Sequence, residues 1–410
     1  GGNAIDAAVA IGFALAVVFP EAGNIGGGGF MLIRFSNGKS ITIDFREAAP
    51  LAAWRDMYID SAQNVSINSV RGVLSAGVPG TVAGLLKALK DYGTMSTKDV
   101  ITPSIEIAEN GFIVNGRLEG KLLEYEADLR SYPSTAKAYF KNGKRYVLGD
   151  TILQPDLANT LRRIRDQGAG DFYNGETAEL ILKEMKTSGG LITKDDLINY
   201  KPIIRESIRG TYRNYEILSA PPPSSGGICL IELLNILERY DVGALGFHSS
   251  KSVHIISEAM KRVYSDRSEY LGDPEFTKVP VNVLISKKYA QERSSDIDTM
   301  KSTLSGNIKP GIVDVKDHPN TTHYSVIDSL GNCVSVTYTI NDIFGSQVIV
   351  DGAGFFLNDE MDDFSSKPGL PNSYGLIGGY ANAIEPGKRP LSSMTPTIVT
   401  KDGKPILILG

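Results

Sequence analysis

Cysteine is nearly absent: 410 residues contain two, Cys229 and Cys333. So few build no disulfide scaffold, and no Cys-x-x-Cys pair offers a zinc site. Histidine is scarce too, at four residues (His248, His254, His318 and His323), and no two have the spacing of a metal-binding helix. An excess of one charge is also missing. The 42 basic and 47 acidic side chains leave a net charge of −5, too mild to imply a nucleic acid or an anionic membrane as partner. Long hydrophobic runs are lacking. The longest, 7–19, stops at Pro20, well short of the ~20 residues that span a bilayer. It has no basic leader, so the expectation is a buried helix capped by Asn3, with Asp6 in its first turn.

What is present is an ordinary globular balance, 42% hydrophobic and 22% charged, in a chain long enough for a large core. Segments 30–34 and 41–45 read as a hairpin turning at Asn37-Gly38. Helical patterns follow at 81–92, 98–110, 155–167, 177–187 and 195–200. A strand at 215–220 leads through a Pro-Pro-Pro-Ser-Ser-Gly-Gly loop to helices near 228–239 and 250–270. Segment 287–320 is polar and poorly periodic and reads as an exposed linker. Beyond it β-branched residues dominate, with strands expected at 321–328, 332–341, 347–350, 354–358, 395–400 and 405–409. The first residue is Gly and the last segment reads as a buried strand, so the chain is expected to be part of a longer polypeptide. The mixture predicts stacked sheets with helices outside, in one domain.

The chemistry is expected in the hairpin that begins at Thr321. A three-residue loop, Ser329-Leu330-Gly331 with glycine in the left-handed position, pairs Asp328 with Asn332. Thr321 then falls opposite Thr339, with Asn341 on the same face as Thr339. A two-residue loop would instead bring Ile340 opposite Thr321. Threonine is a poor nucleophile unless a base activates it. An N-terminal threonine carries that base as its own α-amine, with a pKa near ~8. The Asn320–Thr321 bond must then be cut first.

These residues, with the segments at 1–8, 23–31, 44–47, 77–84, 221–227, 266–273, 321–326 and 389–396, resemble the γ-glutamyltransferases (glutathione hydrolases) of the N-terminal-nucleophile hydrolase superfamily. The resemblance runs through the whole chain. It implies an α+β fold, a four-layer αββα sandwich, made as a precursor that cleaves itself between Asn320 and Thr321. Residues 1–320 then form a large-subunit segment and 321–410 a small-subunit segment of one domain. Thr321 is the implied nucleophile, and Thr339 matches the threonine that hydrogen-bonds it. Arg46, Ser392 and Ser393 match the groups that hold the donor α-carboxylate, and Asn341, Glu360 and Asp363 those that hold its ammonium. The family carries Gln or Glu at position 360. Tyr374 matches the aromatic gate of a lid at 368–379.

The implied substrates are glutathione and other γ-glutamyl compounds, with amino acids, peptides or water as acceptors. No cofactor and no metal are implied, and the implied location is periplasmic or secreted. Relatives are expected to carry oxyanion-hole glycines after the strand at 405–409. Alternatives are a related amidase, of the cephalosporin acylase or poly-γ-glutamate transpeptidase type, and a truncated inactive homologue. A nucleotide-binding module is disfavoured, because the glycines at 26–29 precede a strand instead of following one, and no GxxxxGK[ST] exists. Read without the resemblance, Arg46 would pair with Asp44 or Glu47, Asn358–Asp363 would be a solvated acidic turn, and Ser392-Ser393 a turn.

Overall fold

The computed structural model describes residues 1–309 and 321–410. Asn320 and His318 therefore lie outside the described residues, as does half of the expected scissile bond. In chain order, the elements that frame the site are α1 (Ala4–Val18), β1 (Gly28–Arg34), β2 (Ser40–Asp44), α2 (Thr81–Tyr92) and β3 (Ile203–Arg205). They continue with β4 (Ile208–Tyr212), β5 (Tyr215–Ser219), α3 (Gly226–Leu237) and α4 (Ser250–Tyr270). The last four are β6 (Thr322–Ile327), β7 (Cys333–Thr339), β8 (Thr397–Lys401) and β9 (Lys404–Leu409).

Two antiparallel sheets form. One has the order β6-β7-β1-β2-β3, the other β9-β8-β5-β4. Their facing sides share a core of Leu32, Leu218, Cys333 and Ile398. The opposite side of the first sheet is covered by α1 and α2, in a core that includes Val9, Phe13, Val82, Leu85, Val336 and Tyr338. On the far side of the second sheet, Ile228 and Ile231 of α3 pack against Ile208, Ile217 and Val399. Helix, sheet, sheet, helix is the four-layer αββα arrangement. Covering both faces of the central strands explains why β1 and β7 are buried along their whole length, which masks the alternation of a one-sided strand, whereas the edge strand β9 is largely exposed.

The α1 cap is as expected. Asn3 accepts from the backbone of Ile5 and Asp6, and Asp6 returns a bond to the Asn3 amide. The segment from 287 differs from the linker expectation. Lys287–Arg293 is a helix, and Arg293 holds it in place by pairing with Asp266 at 2.8 Å and donating to the Arg262 carbonyl. Its charged sequence leaves only Ala290 fully buried, too little for a periodic pattern. The strands expected at 347–350 and 354–358 reduce to one bridge, Ile349 to Phe356. Gly354, at a φ of 79°, lies so close to Leu157 that a β-carbon there would strike its backbone nitrogen.

Candidate functional site

The hairpin holds the register expected of it. Thr322 pairs with Tyr338 and Ile327 with Cys333, so one further step brings Thr321 opposite Thr339. Gly331 takes a φ of 85° and donates to the Asp328 carbonyl at 3.0 Å, while the Asp328 amide bonds the Asn332 carbonyl at 3.1 Å. Thr321 is exposed at the head of β6, and Thr339 is buried. The Thr339 hydroxyl accepts from the Asn341 amide at 2.9 Å. Asn341 turns to a φ of 75° and donates from its side chain to the Asp359 carbonyl at 3.1 Å, which ties the end of β7 to the acidic turn.

Glycines 26–29 make this corner possible by close approach. A β-carbon on Gly27 would strike the Thr339 carbonyl, and one on Gly28 would lie 2.7 Å from the Glu47 carboxyl. Gly28 itself pairs with Thr339. The threonine face of the hairpin therefore runs directly into the cluster around Arg46.

Arg46 leaves the end of β2 fully buried. Its guanidinium binds Glu360 and Asp363, reaches Glu47 at 3.3 Å, and donates through Nε to the Pro390 carbonyl at 3.2 Å. Asp44, the other sequence-local partner, is taken up at 2.7 Å by Arg205 and at 2.5 Å by Arg389. Burial works against the charge of Arg46, but Glu360, Asp363 and Glu47 outweigh it and hold the guanidinium ionised. Burial pushes the Glu47 carboxyl up to about 7, against the pull of Arg46. Glu360 is raised well above the usual carboxylate range by burial first; Arg46 opposes this, and Glu47, Asp363 and Asp359 add to it. A short 3₁₀ turn, Glu360–Asp363, carries the acids. It is a buried, structured turn, not a solvated one.

Ser392 is buried beside Pro390. Its amide donates to the Pro223 carbonyl at 2.8 Å, and its carbonyl accepts from the Ser225 amide at 2.7 Å. Ser393 is exposed, and its hydroxyl accepts from Arg267 at 3.1 Å. Tyr374 is half-buried in a small loop closed by the Gly369 amide on the Gly378 carbonyl at 3.1 Å. Burial, then the Asp359, Asp342, Asp363 and Glu360 carboxyls, push its phenol well above the usual range. Asp362 fixes this loop: its carboxylate accepts from the Ser373 amide at 3.0 Å and from the Ser69 hydroxyl at 2.9 Å.

All the candidate site residues except Asn320 thus lie in the described residues, and Arg46, Glu360 and Asp363 are in direct contact. Sequence reasoning missed Glu47, Asp362 and Arg267 as members of the site. For Arg267 the signal was a charged residue inside the buried face of α4. Among the described residues, no cluster of His, Cys, Asp and Glu is arranged to hold a metal ion.

Two facing sheets between helical layers, with an exposed threonine heading the edge strand β6 beside a buried charged cluster, define the class: an N-terminal-nucleophile hydrolase fold. The family model for Gamma-glutamyltranspeptidase matches residues 1–410, and the chain belongs to that family. It is 51% identical over 412 residues to the "Glutathione hydrolase proenzyme" of Escherichia coli (strain K12), covering 100% of this chain and 71% of that protein. Among solved structures it is similar to Helicobacter pylori gamma-Glutamyltranspeptidase, at 50% identity and a TM-score of 0.75, over 76% of this chain and 90% of that one. A cephalosporin acylase from Bacillus halodurans superposes with a TM-score of 0.84 at 28% identity, over 100% of this chain and 72% of that one.

Proposed function

We propose that the protein hydrolyses glutathione and other γ-glutamyl amides and transfers the γ-glutamyl group to amino acids or peptides, after cutting itself before Thr321. The reading rests above all on the hairpin register, which sets Thr321 across from Thr339 at the edge of the Arg46, Glu360 and Asp363 cluster.

In maturation, Thr321 Oγ attacks the carbonyl carbon of the preceding residue. The peptide nitrogen leaves as an amine, and water hydrolyses the resulting ester. Residues 1–320 and 321–410 then belong to separate subunit segments of one domain, and Thr321 carries a free α-amine. In turnover that amine accepts the hydroxyl proton as Oγ attacks the γ-glutamyl carbonyl. The proton passes to the leaving amine, and an ester links the glutamyl group to Thr321. Water or an acceptor amine attacks this ester and returns the hydrogen to Oγ. Thr339, opposite the nucleophile, orients its hydroxyl.

Recognition is an exchange of ion pairs. The guanidinium is paired with all three carboxyls, while Glu47 Oε1 and Glu360 Oε1 are buried without a hydrogen-bond partner among the described residues. A γ-glutamyl head brings both charges: its α-carboxylate takes Arg46, Ser392 and Ser393, and its ammonium takes Glu360, Asp363 and Asn341. The donor's ammonium thereby meets the carboxyls that Arg46 alone does not saturate. A glutaryl donor, the acylase type of substrate, brings only a carboxylate and would strand the two acids. Tyr374 closes over the bound head and excludes water.

The test is turnover by the purified full-length protein of glutathione, γ-glutamyl-p-nitroanilide and glutaryl-p-nitroanilide. Release of glutamate, with the γ-glutamyl anilide favoured at least tenfold over the glutaryl one, is expected. Preference for the glutaryl donor would move the protein to the acylase reading. Among the described residues no helix is long and apolar enough to cross a membrane. The proposed location is periplasmic or secreted, on the family resemblance, and cell fractionation checks it.

A further inference from the structure

Arg267 is a buried cation that makes no ion-pair contact among the described residues, although the Asp362 and Asp363 carboxyls line the same small cavity. It sits in the last turn of α4, 6% exposed. Its Nε donates to the Ser225 hydroxyl at 3.0 Å and its Nη2 to the Ser393 hydroxyl at 3.1 Å. Among the described residues it makes no ion pair, whereas the equally buried Arg46 and Arg262 each meet at least two carboxylates. A guanidinium kept from water without a counter-charge is costly unless an anion arrives. It also lines a cavity of about 20 Å³ with Asp363, Ser365, Ser366 and Asn382. The Ser365 and Ser366 hydroxyls there are buried and make no hydrogen bond.

The bonds around Arg267 have a direction. Ser225 accepts from Arg267 and donates its hydroxyl to the Ser392 carbonyl at 2.8 Å. Ser393 accepts from Arg267, and among the described residues its own hydroxyl hydrogen meets no acceptor. A hydroxyl carries one hydrogen. Occupying the Ser393 lone pair with an arginine N–H turns that hydrogen outward, toward an incoming acceptor. Three carboxyls already draw on Arg46, so they offset much of the positive field it brings to the donor carboxylate.

We propose that Arg267 is a positioning residue for the donor α-carboxylate. It aims the Ser393 hydroxyl and supplies, one bond behind it, the positive charge that the acid-rich site lacks. This rests on the proposed γ-glutamyl reading, in which Ser393 binds that carboxylate.

The experiment is a double-mutant cycle in the full-length protein, with Arg267→Gln, Ser393→Ala and the pair, on γ-glutamyl-p-nitroanilide. Arg267→Gln is expected to raise KM at least tenfold with kcat changed less than threefold, and the precursor still splits. Because Arg267 acts through Ser393, the pair should be no worse than the weaker single variant by more than about threefold. Arg267→Lys, which keeps the charge and loses the fork, should recover part of the affinity. If Arg267→Gln fails to mature, the Lys variant carries the same cycle. An unchanged KM, a fall confined to kcat, or effects that simply multiply would overturn the assignment. A wild-type protein that releases no p-nitroaniline would instead sink the γ-glutamyl reading itself.

Discussion

At the scale of single residues, the proposed reading has Arg46 serve stability and recognition together. Arg46→Ala removes charged hydrogen bonds to the donor, worth ~2–3 kcal/mol, so KM for a γ-glutamyl anilide should rise roughly 30- to 150-fold. It also leaves Glu47 and Glu360 buried beside Asp363 without a counter-ion, so a thermal melt should show a less stable protein. An unchanged KM would remove Arg46 from the site. Glu47 makes a separate prediction in pH. Its folded carboxyl, raised to about 7 by burial, holds a proton that the unfolded chain releases near ~4.3. The resulting stability is complete below the unfolded value and is lost as pH rises through about 7. Glu47→Gln, which keeps the neutral shape, should flatten that decline in melting temperature. A variant with the wild-type slope would place the titration elsewhere.

At the scale of elements, what the sequence revealed followed from local rules. The register of β6 on β7 was legible because Gly331 permits one turn geometry, and that turn decides every opposed pair down to Thr339. Helix α2 was legible from its period and its apolar face. The helix Lys287–Arg293 was not, since it is held by Arg293 reaching Asp266 and not by an apolar stripe. Nor was Arg267, whose partner Ser393 is brought near only by packing α4 against the loop before β8. The same holds for the loop around Tyr374. Its glycines were plain in the sequence, but the anchor, Asp362 bonded to Ser373 and Ser69, exists only in three dimensions. Asp362→Ala should loosen that loop and admit water. With glycylglycine at fixed concentration, the ratio of hydrolysis to transfer is expected to rise several-fold, with little change in acylation rate. An unaltered ratio would mean that the loop does not govern access of water.

At the scale of the whole molecule, the two sheets matter because they place distant parts of the chain at one corner. β1 and β2 come from the first fifty residues, and β6 and β7 from the last ninety, yet Gly28 pairs with Thr339 and Arg46 binds Asp363. A cut before Thr321 leaves this core intact, since β6 stays bonded to β7 and β7 to β1 across the two segments. The fold would therefore hold the fragments together once the proposed cut exposes a new α-amine at Thr321. Intact-mass analysis with N-terminal sequencing of the full-length protein addresses the central claim most directly. The account predicts two chains, the smaller starting at Thr321, and a single uncleaved and inactive chain for Thr321→Ala. An unbroken wild-type chain that still consumes glutathione would contradict it.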